Sequence, residues 1–468
     1  MKNKLLIISL VLSTLFFAVA YAAELITGTE ISFNNGKTNL KANNVQDAIE
    51  ELYDKTISDT SCKNVSAPKL GSGLVPVTIE ADGTVKYADT SKSWYNYCDK
   101  RWANAVILEN DTNYNVGDTI QESDIQSYFV WIPKYKYKLW NTGVASKGVH
   151  EIDIVFDEND TNDIEGVSCK TPMVSGESGN CNNGEYMTHP AFISMNTNGF
   201  WVGKFETGYK GATGAATAKV NANDISKVII KPNAFSWRGI NVYNAFLNSY
   251  NYQRDLDSHL IKNTEWGAVA YLSHSKYGIN TEVNVNNNSN YKTGYSALPS
   301  TNQQTYPGTS GDGAKFNSTY NTEIGYLAST SGNISGVYDM SGGAWEYMSS
   351  YITGKPGSSG FSTTTLANYD SKYFDVYNAS SAVTTYQYRI LGDATGEMGT
   401  FKQYLDGDNG SRLHSSWYGD SSSFVDSSYP WFGRGGHYAY GVLSGAFCFS
   451  RYNGWIDSYG GFRIVLTP

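Results

Sequence analysis

RGGHYAYGVLSGAFCFSRYNGWIDSYGGFRIVL, Arg434 to Leu466, mixes two kinds of position. Phe447, Phe449, Phe462, Ile464 and Leu466 alternate as the inward residues of short strands do, and are expected to anchor the loop ends. The glycines among them permit positive-φ turns that other residues make only at a cost of order 1 kcal/mol or more. Between these stand His437, Tyr438, Tyr440, Leu443, Arg451, Tyr452, Trp455, Asp457 and Tyr459, which follow no strand or helix period. Aromatic residues and Arg on a rigid loop surface are the types that dominate binding energy. The same aromatics could instead cover a core as ordinary loop residues. The alternation leaves several of them without an inward face, so a binding surface is the expectation.

Composition agrees with a loop-rich globular chain. Of 468 residues, 40% are hydrophobic, enough for a substantial core in two or three domains, or in one large one. Only 17% are charged, against 46 Gly, 36 Tyr and 11 Trp, which excludes both a disordered chain and a long-helix protein. A net charge of −9 without a basic stripe offers nothing to phosphates and argues against a nucleic-acid partner.

At the N-terminus Lys2 and Lys4 precede the apolar run LLIISLVLSTLFFAVA, and Ala20-Tyr21-Ala22 forms a small-x-small cleavage site. Residues 1–22 therefore read as a secretory signal peptide cut after Ala22. The competing reading is a retained N-terminal anchor, since the run is near the minimum for a membrane span. No second apolar run of spanning length follows, so a secreted or cell-surface protein is expected. Five cysteines suit export. Their spacing allows a Cys169–Cys181 staple around KTPMVSGESGN and a Cys62–Cys98 bridge, with Cys448 left over; the pairing itself does not follow from sequence.

Residues 23–60 carry NVQDAIEELYDK, Asn44 to Lys55, which places Val45, Ala48, Ile49, Leu52 and Tyr53 on one helical face, with Asn43 or Asn44 as cap. This short amphipathic helix packs on a neighbour or self-associates as an oligomer-forming stalk. LVPVTIEADGTVKYA reads as two strands about an Asp82-Gly83 turn, inside a small β-rich module over residues 61–126. From Ser127 the texture changes. YFVWIPKYKYKLW and GFWVGKFETGYK read as strands, AFSWRGINVYNAFLNSYNY turns helical, and Asn263 to His274 reads as a second helix. Residues 280–317 read as a long surface insertion, and 354–366 and 415–429 as polar loops. The pattern is an α+β domain over 127–468.

GVYDMSGGAWEYMS, Gly336 to Ser349, is similar to the segment G-L-Y-D-M-x-G-N-V-W-E-W of the formylglycine-generating enzyme (sulfatase-modifying factor) family. Other landmarks follow in the same order: FVWIPKY and GFWVGKFETG resemble the family's opening strands, and IKNTEWGAVAYL its R-L-P-T-E-A-E-W-E-Y-A helix. RGG at 434–436 and GFRIVL at 461–466 resemble its closing strands. The resemblance spans residues 127–468 and implies a C-type-lectin-like α+β fold, with short sheets among long irregular loops. It also implies where an enzyme would need its chemistry: two cysteines a few residues apart after the RGG strand, holding copper between two thiolates. Cys448 stands alone there, so no oxidase and no catalytic residue is expected; a degenerate oxidase and a structural appendage protein are the alternatives. No G-x-S-x-G, phosphate-cradling loop or H-E-x-x-H is present. The resemblance further implies calcium near Glu346. Gly343 stands where the family has Asn and removes a side-chain oxygen, so Glu346 reads as a buried structural carboxylate and no cofactor is expected.

The end of the chain resembles a second group with this fold, the variable proteins of diversity-generating retroelements, in which error-prone reverse transcription rewrites adenines of a C-terminal cassette. WFGRGG, Gly441, Gly445-Ala446-Phe447, Phe449, Gly454 and GGFRIVL match the frame. His437, Tyr438, Ala439, Tyr440, Val442, Leu443, Cys448, Ser450, Arg451, Tyr452, Trp455, Asp457, Ser458 and Tyr459 fall on the varying positions. The resemblance implies a variable ligand-binding region over about 415–466. Its ligand would be a protein or glycan on a cell or phage surface.

Overall fold

The computed structural model describes residues 32, 43–49, 64–109, 113–138, 149, 151–157, 186–297, 318–377, 392–395, 402–405, 412–415 and 417–468. The chain divides into two compact units, Met1–Lys63 and Asn64–Pro468. In the first, residues 45–49 form a helical turn that Asn44 caps, its side-chain oxygen accepting the Asp47 N–H at 2.8 Å. Leu52 and Tyr53, expected on the same helix, lie outside the described residues, as do the signal peptide and Cys62, Cys169 and Cys181. Cys98 is disulfide-bonded, to a partner outside the described residues. No helix among the described residues is long and apolar enough to cross a membrane.

Asn64–Pro468 is mixed α+β, mostly sheet with few helices. One open sheet runs His259–Leu260, Ile464–Leu466, Gly199–Gly203, Ile125–Pro133, Asn104–Leu108, Leu74–Ile79, Val85–Tyr87, Thr119–Ile120, from edge to edge. At its centre Phe129, Val130, Trp131 and Ile132 are all buried. Successive residues of a strand point to opposite faces, so this sheet is covered on both sides. Residues 61–126, set apart in sequence as a separate module, supply four of its strands. Asn104–Leu108 is hydrogen-bonded along its length to Ile125–Pro133, so the sheet is continuous across the expected boundary at 126/127. The short β runs of 61–126 are thus strands of this larger sheet, with Thr119–Ile120 at its edge.

The second sheet runs Asp375–Tyr377, Trp345–Ile352, Trp431–Gly435, Gly445–Tyr452, Ser421–Ser422, Arg412–Ser415, Lys402–Leu405. Gly460–Phe462 also joins Trp345–Ile352, in parallel. One residue later the chain enters the first sheet as Ile464–Leu466. Arg463 is the joint between them.

Two eleven-residue helices, Val242–Tyr252 and Asn263–Ser273, lie where they were expected. The second is buried on every side. The Ser350 hydroxyl and an Asp375 carboxylate oxygen accept the N–H groups of Asn263 and Thr264, both at 2.8 Å, and so cap its start from the second sheet. A Cβ on its Gly267 would stand 1.8 Å from the Gly392 carbonyl oxygen, so only glycine admits that contact. Residues 280–297, expected as part of a surface insertion, are folded in: Val283, Val285, Asn286 and Tyr291 are buried. The amide that made this stretch look superficial has an interior task, since Asn286 donates to Asp339 Oδ1 at 2.9 Å. Residues 298–317 lie outside the described set.

Candidate ligand-binding face

The frame of the C-terminal region is internal. Phe447, Phe449, Phe462, Ile464 and Leu466 are buried. Phe447 packs on Trp417 (ring centroids 4.8 Å apart) and Phe449 on Phe424 (4.9 Å), both on one face of the Gly445–Tyr452 strand. Gly436 has φ +78°, and a Cβ there would meet the Ser444 hydroxyl at 2.4 Å, so conformation and space both demand glycine.

Two loops leave this frame, 436–444 and 453–459, and both are tied to the surrounding fold by backbone hydrogen bonds. The Tyr438 N–H donates to the Gly343 carbonyl at 2.8 Å. In the second loop the carbonyls of Gly454 and Asp457 accept the N–H groups of Val242 (3.1 Å) and Gly239 (3.0 Å). The Trp455 carbonyl accepts the Tyr347 hydroxyl at 2.7 Å, and the Ser458 carbonyl accepts Arg238 Nη1 at 2.6 Å. Each of those four carbonyls has a donor outside Arg434–Leu466; that of Asp457 also accepts the Gly460 N–H at 3.2 Å.

The side chains form a pavement of rings. His437 meets Tyr440 at 4.6 Å and Tyr459 at 4.7 Å. Tyr438 stands edge-on to Tyr291 (4.7 Å), which carries the Arg238 guanidinium 3.5 Å above its ring. Tyr440 and Tyr452 stand on Trp345 (5.3 and 5.6 Å), and Tyr347 stands edge-on to Tyr452 (5.6 Å). Such aromatic pairs contribute about 0.5–1.5 kcal/mol each beyond burial. Burial pushes the His437 pKa down to about 4, so this ring is neutral at neutral pH, and its Nδ1 accepts the Ala439 N–H at 3.3 Å.

The expected residues divide. Trp455 (58% exposed), Tyr459 (45%), Leu443 (40%) and Ser458 are open to solvent. His437, Tyr438, Ala439, Tyr440, Ser450, Tyr452 and Asp457 are half-buried; Tyr438 leans on Tyr291, Tyr440 on Trp345, and Tyr452 on Trp345 and Tyr347. Arg451 is also half-buried but lies apart from the pavement: it pairs with Asp426 and sits over the Tyr429 ring. The Val442 side chain lies outside the described set. Cys448, counted among varying positions, is fully buried. Burial and the nearby Asp420 push its thiol pKa well up, so it is an inert interior residue. Missed entirely were Ile456 (54% exposed) and the supports Arg238, Tyr291, Trp345 and Tyr347.

Beneath the pavement lies a buried carboxylate group. Arg463 is hydrogen-bonded to both oxygens of Glu346, and donates from Nη1 to the Gly203 carbonyl at 2.7 Å. Glu206 accepts the Ala344 N–H at 2.8 Å, and Asp339 accepts the Gly294 N–H at 3.0 Å. Burial and the neighbouring carboxylates hold the Glu206 pKa well above its usual range. Glu346 is a partner of Arg463 rather than an open ligand, and among the described residues no group of three His, Cys, Asp or Glu is placed to hold a metal ion.

The chain matches no known family model and no curated protein.

Proposed function

We propose that this chain is an exported, non-enzymatic display protein. In this reading a C-type-lectin-like domain of the formylglycine-generating type presents a variable ligand-binding face, in the manner of retroelement variable proteins, to a protein or glycan on a cell or phage surface. The carrying observation is the backbone anchoring of the 453–459 loop: Gly454, Trp455, Asp457 and Ser458 are held by their carbonyls, from donors outside the cassette. A loop fixed that way keeps its shape when its side chains are exchanged, which is what a hypervariable surface requires. The buried, solitary Cys448 supports the non-enzymatic side, because a thiol with a raised pKa supplies no thiolate for copper or catalysis. Residues 23–60 would tether or oligomerise the domain.

Sequencing the DNA that flanks the gene tests the reading. A reverse transcriptase and a near-copy of the bases encoding Arg434–Leu466 are expected, with mismatches confined to adenines of the copy. Flanking DNA with neither would reduce the proposal to an ordinary lectin-like binder.

A further inference from the structure

The strand Asp375–Tyr377 ends the second sheet. It pairs in parallel with Trp345–Ile352, in the register Ser350–Asp375, Tyr351–Val376 and Ile352–Tyr377. The Tyr377 carbonyl accepts the Thr353 N–H at 3.0 Å, so the backbone of Tyr377 is turned toward that neighbour. Backbone groups alternate in direction along a strand, and the N–H and C=O of Val376 therefore point the other way, to the open edge. Among the described residues no group is hydrogen-bonded to either from that side, and Val376 is 39% exposed.

A cavity of about 330 Å³ opens beside this edge, with Val376 in its lining. Leu366 and Phe374 are its buried walls, Tyr351 and Tyr369 are half-buried, and Ala367 and Val376 stand exposed at its rim. Tyr351 is paired in register with Val376, and Phe374 lies two residues before it, so these three side chains share one face of the sheet. The rings are braced from behind: Phe374 stands edge-on to Tyr351 (5.7 Å) and Tyr369 edge-on to Phe246 (4.7 Å). Among the described residues that line the cavity none is charged.

We propose that this edge accepts an extended segment of a protein partner as an added strand, with a phenylalanine side chain of that segment seated in the cavity. The free N–H and C=O specify an extended backbone rather than a small molecule. A side chain opposite Val376 falls on the face that Tyr351, Phe374 and Val376 share, where the cavity lies. Rings and aliphatic groups suit an aromatic side chain, whereas a charged one would lose its hydration there without a partner. The site shares no residue with the 436–444 and 453–459 loops and holds whether or not those loops bind a ligand.

The test uses the full chain and three probes, titrated by saturation-transfer NMR. They are acetyl-Thr-Thr-Phe-Thr-Thr-amide, the same peptide with Asp for Phe, and the Phe peptide N-methylated at its three central residues. The Phe peptide is expected to bind about tenfold more strongly than either of the others. Val376→Pro removes the outward N–H, which is no part of the ladder with Trp345–Ile352, so it should weaken Phe-peptide binding about tenfold while the thermal melt holds. Ala367→Trp should weaken it as much by filling the cavity from its rim, and keeps the test decisive if the proline variant unfolds. Equal binding of the Phe and N-methylated peptides overturns strand addition, and the cavity is then a pocket for free apolar compounds. Equal binding of the Phe and Asp peptides, unchanged binding in Ala367→Trp, or binding of none of the probes overturns the site.

Discussion

Arg463 and Glu346 form a fully buried pair, the guanidinium reaching both carboxylate oxygens, at the point where the chain passes from one large sheet to the other. Removing one partner leaves the other charge without compensation in the interior. Arg463→Met is therefore expected to cost about 3–5 kcal/mol. The double change Arg463→Met with Glu346→Leu should recover much of that loss. Denaturant unfolding of the two variants checks it; equal destabilisation in both would mean that packing, not charge, dominates at the joint.

Stability should fall as pH rises from about 6.5 through about 7, the upper end of the Glu346 window, and go on falling through the raised Glu206 value. Burial raises Glu346 to about 7 and lifts Glu206 well above 4.5, so the folded state keeps protons that the unfolded chain has released. Each such group contributes a loss of up to about 1.4 kcal/mol per pH unit between its unfolded and folded values. His437 and His274, both lowered to about 4, act oppositely: their stabilisation builds as pH rises from about 4 and is complete above 6.5. Above 6.5 only the carboxyl effect remains. Glu206→Gln should flatten the decline, and chemical melts across the range would read it directly.

Trp455→Ala should separate binding from stability. Its side chain is more than half exposed, so unfolding should shift by about 0.5 kcal/mol or less, while loss of an aromatic anchor should cost about 2 kcal/mol of binding to the native surface. Phe447→Ala should do the reverse, destabilising by about 3 kcal/mol through a cavity beside Trp417. Tyr452→Ala should fall between, because its ring leans on Trp345 and Tyr347. Paired thermal melts and surface-binding titrations distinguish the three. A Trp455→Ala variant that binds like the parent removes that residue from the face.

Exchanging Trp455, Ile456 and Ser458 together for alanine should leave the loop in place, since its carbonyls remain anchored. Arg238→Met should loosen it, at a cost of about 1.5–3 kcal/mol for the lost charged hydrogen bonds. Amide hydrogen exchange over 454–460 is the measurement. Faster exchange in the alanine triple than in Arg238→Met would contradict backbone anchoring.

Much of the frame was legible in the chain alone, because alternation at Phe447 and Phe449 and the helical runs at 242–252 and 263–273 are local signals. The supports were not. Arg238 meets Ser458 across 220 positions, and nothing near Arg238 in sequence marks that contact. Composition misled at 280–297, where asparagines that look like surface residues serve buried acceptors; at Cys448 it was the cassette resemblance that misled, since a small residue between two strand phenylalanines packs inside. The expected face residues were singled out by type and position, but their division into exposed tips and half-buried rings depends on Tyr291, Trp345 and Tyr347 arriving from elsewhere in the fold.

The passage from Gly460–Phe462 into Ile464–Leu466 places structural strands downstream of every position in the two surface loops. A frameshift or premature stop within the codons for 437–459 deletes the strand that lies between Gly199–Gly203 and His259–Leu260, and with it Arg463. Such a chain loses the strand next to one edge of its first sheet and leaves Glu346 without Arg463, so it is expected not to reach the folded state. Folding thereby proofreads the reading frame of the surface loops: only in-frame variants emerge as intact molecules.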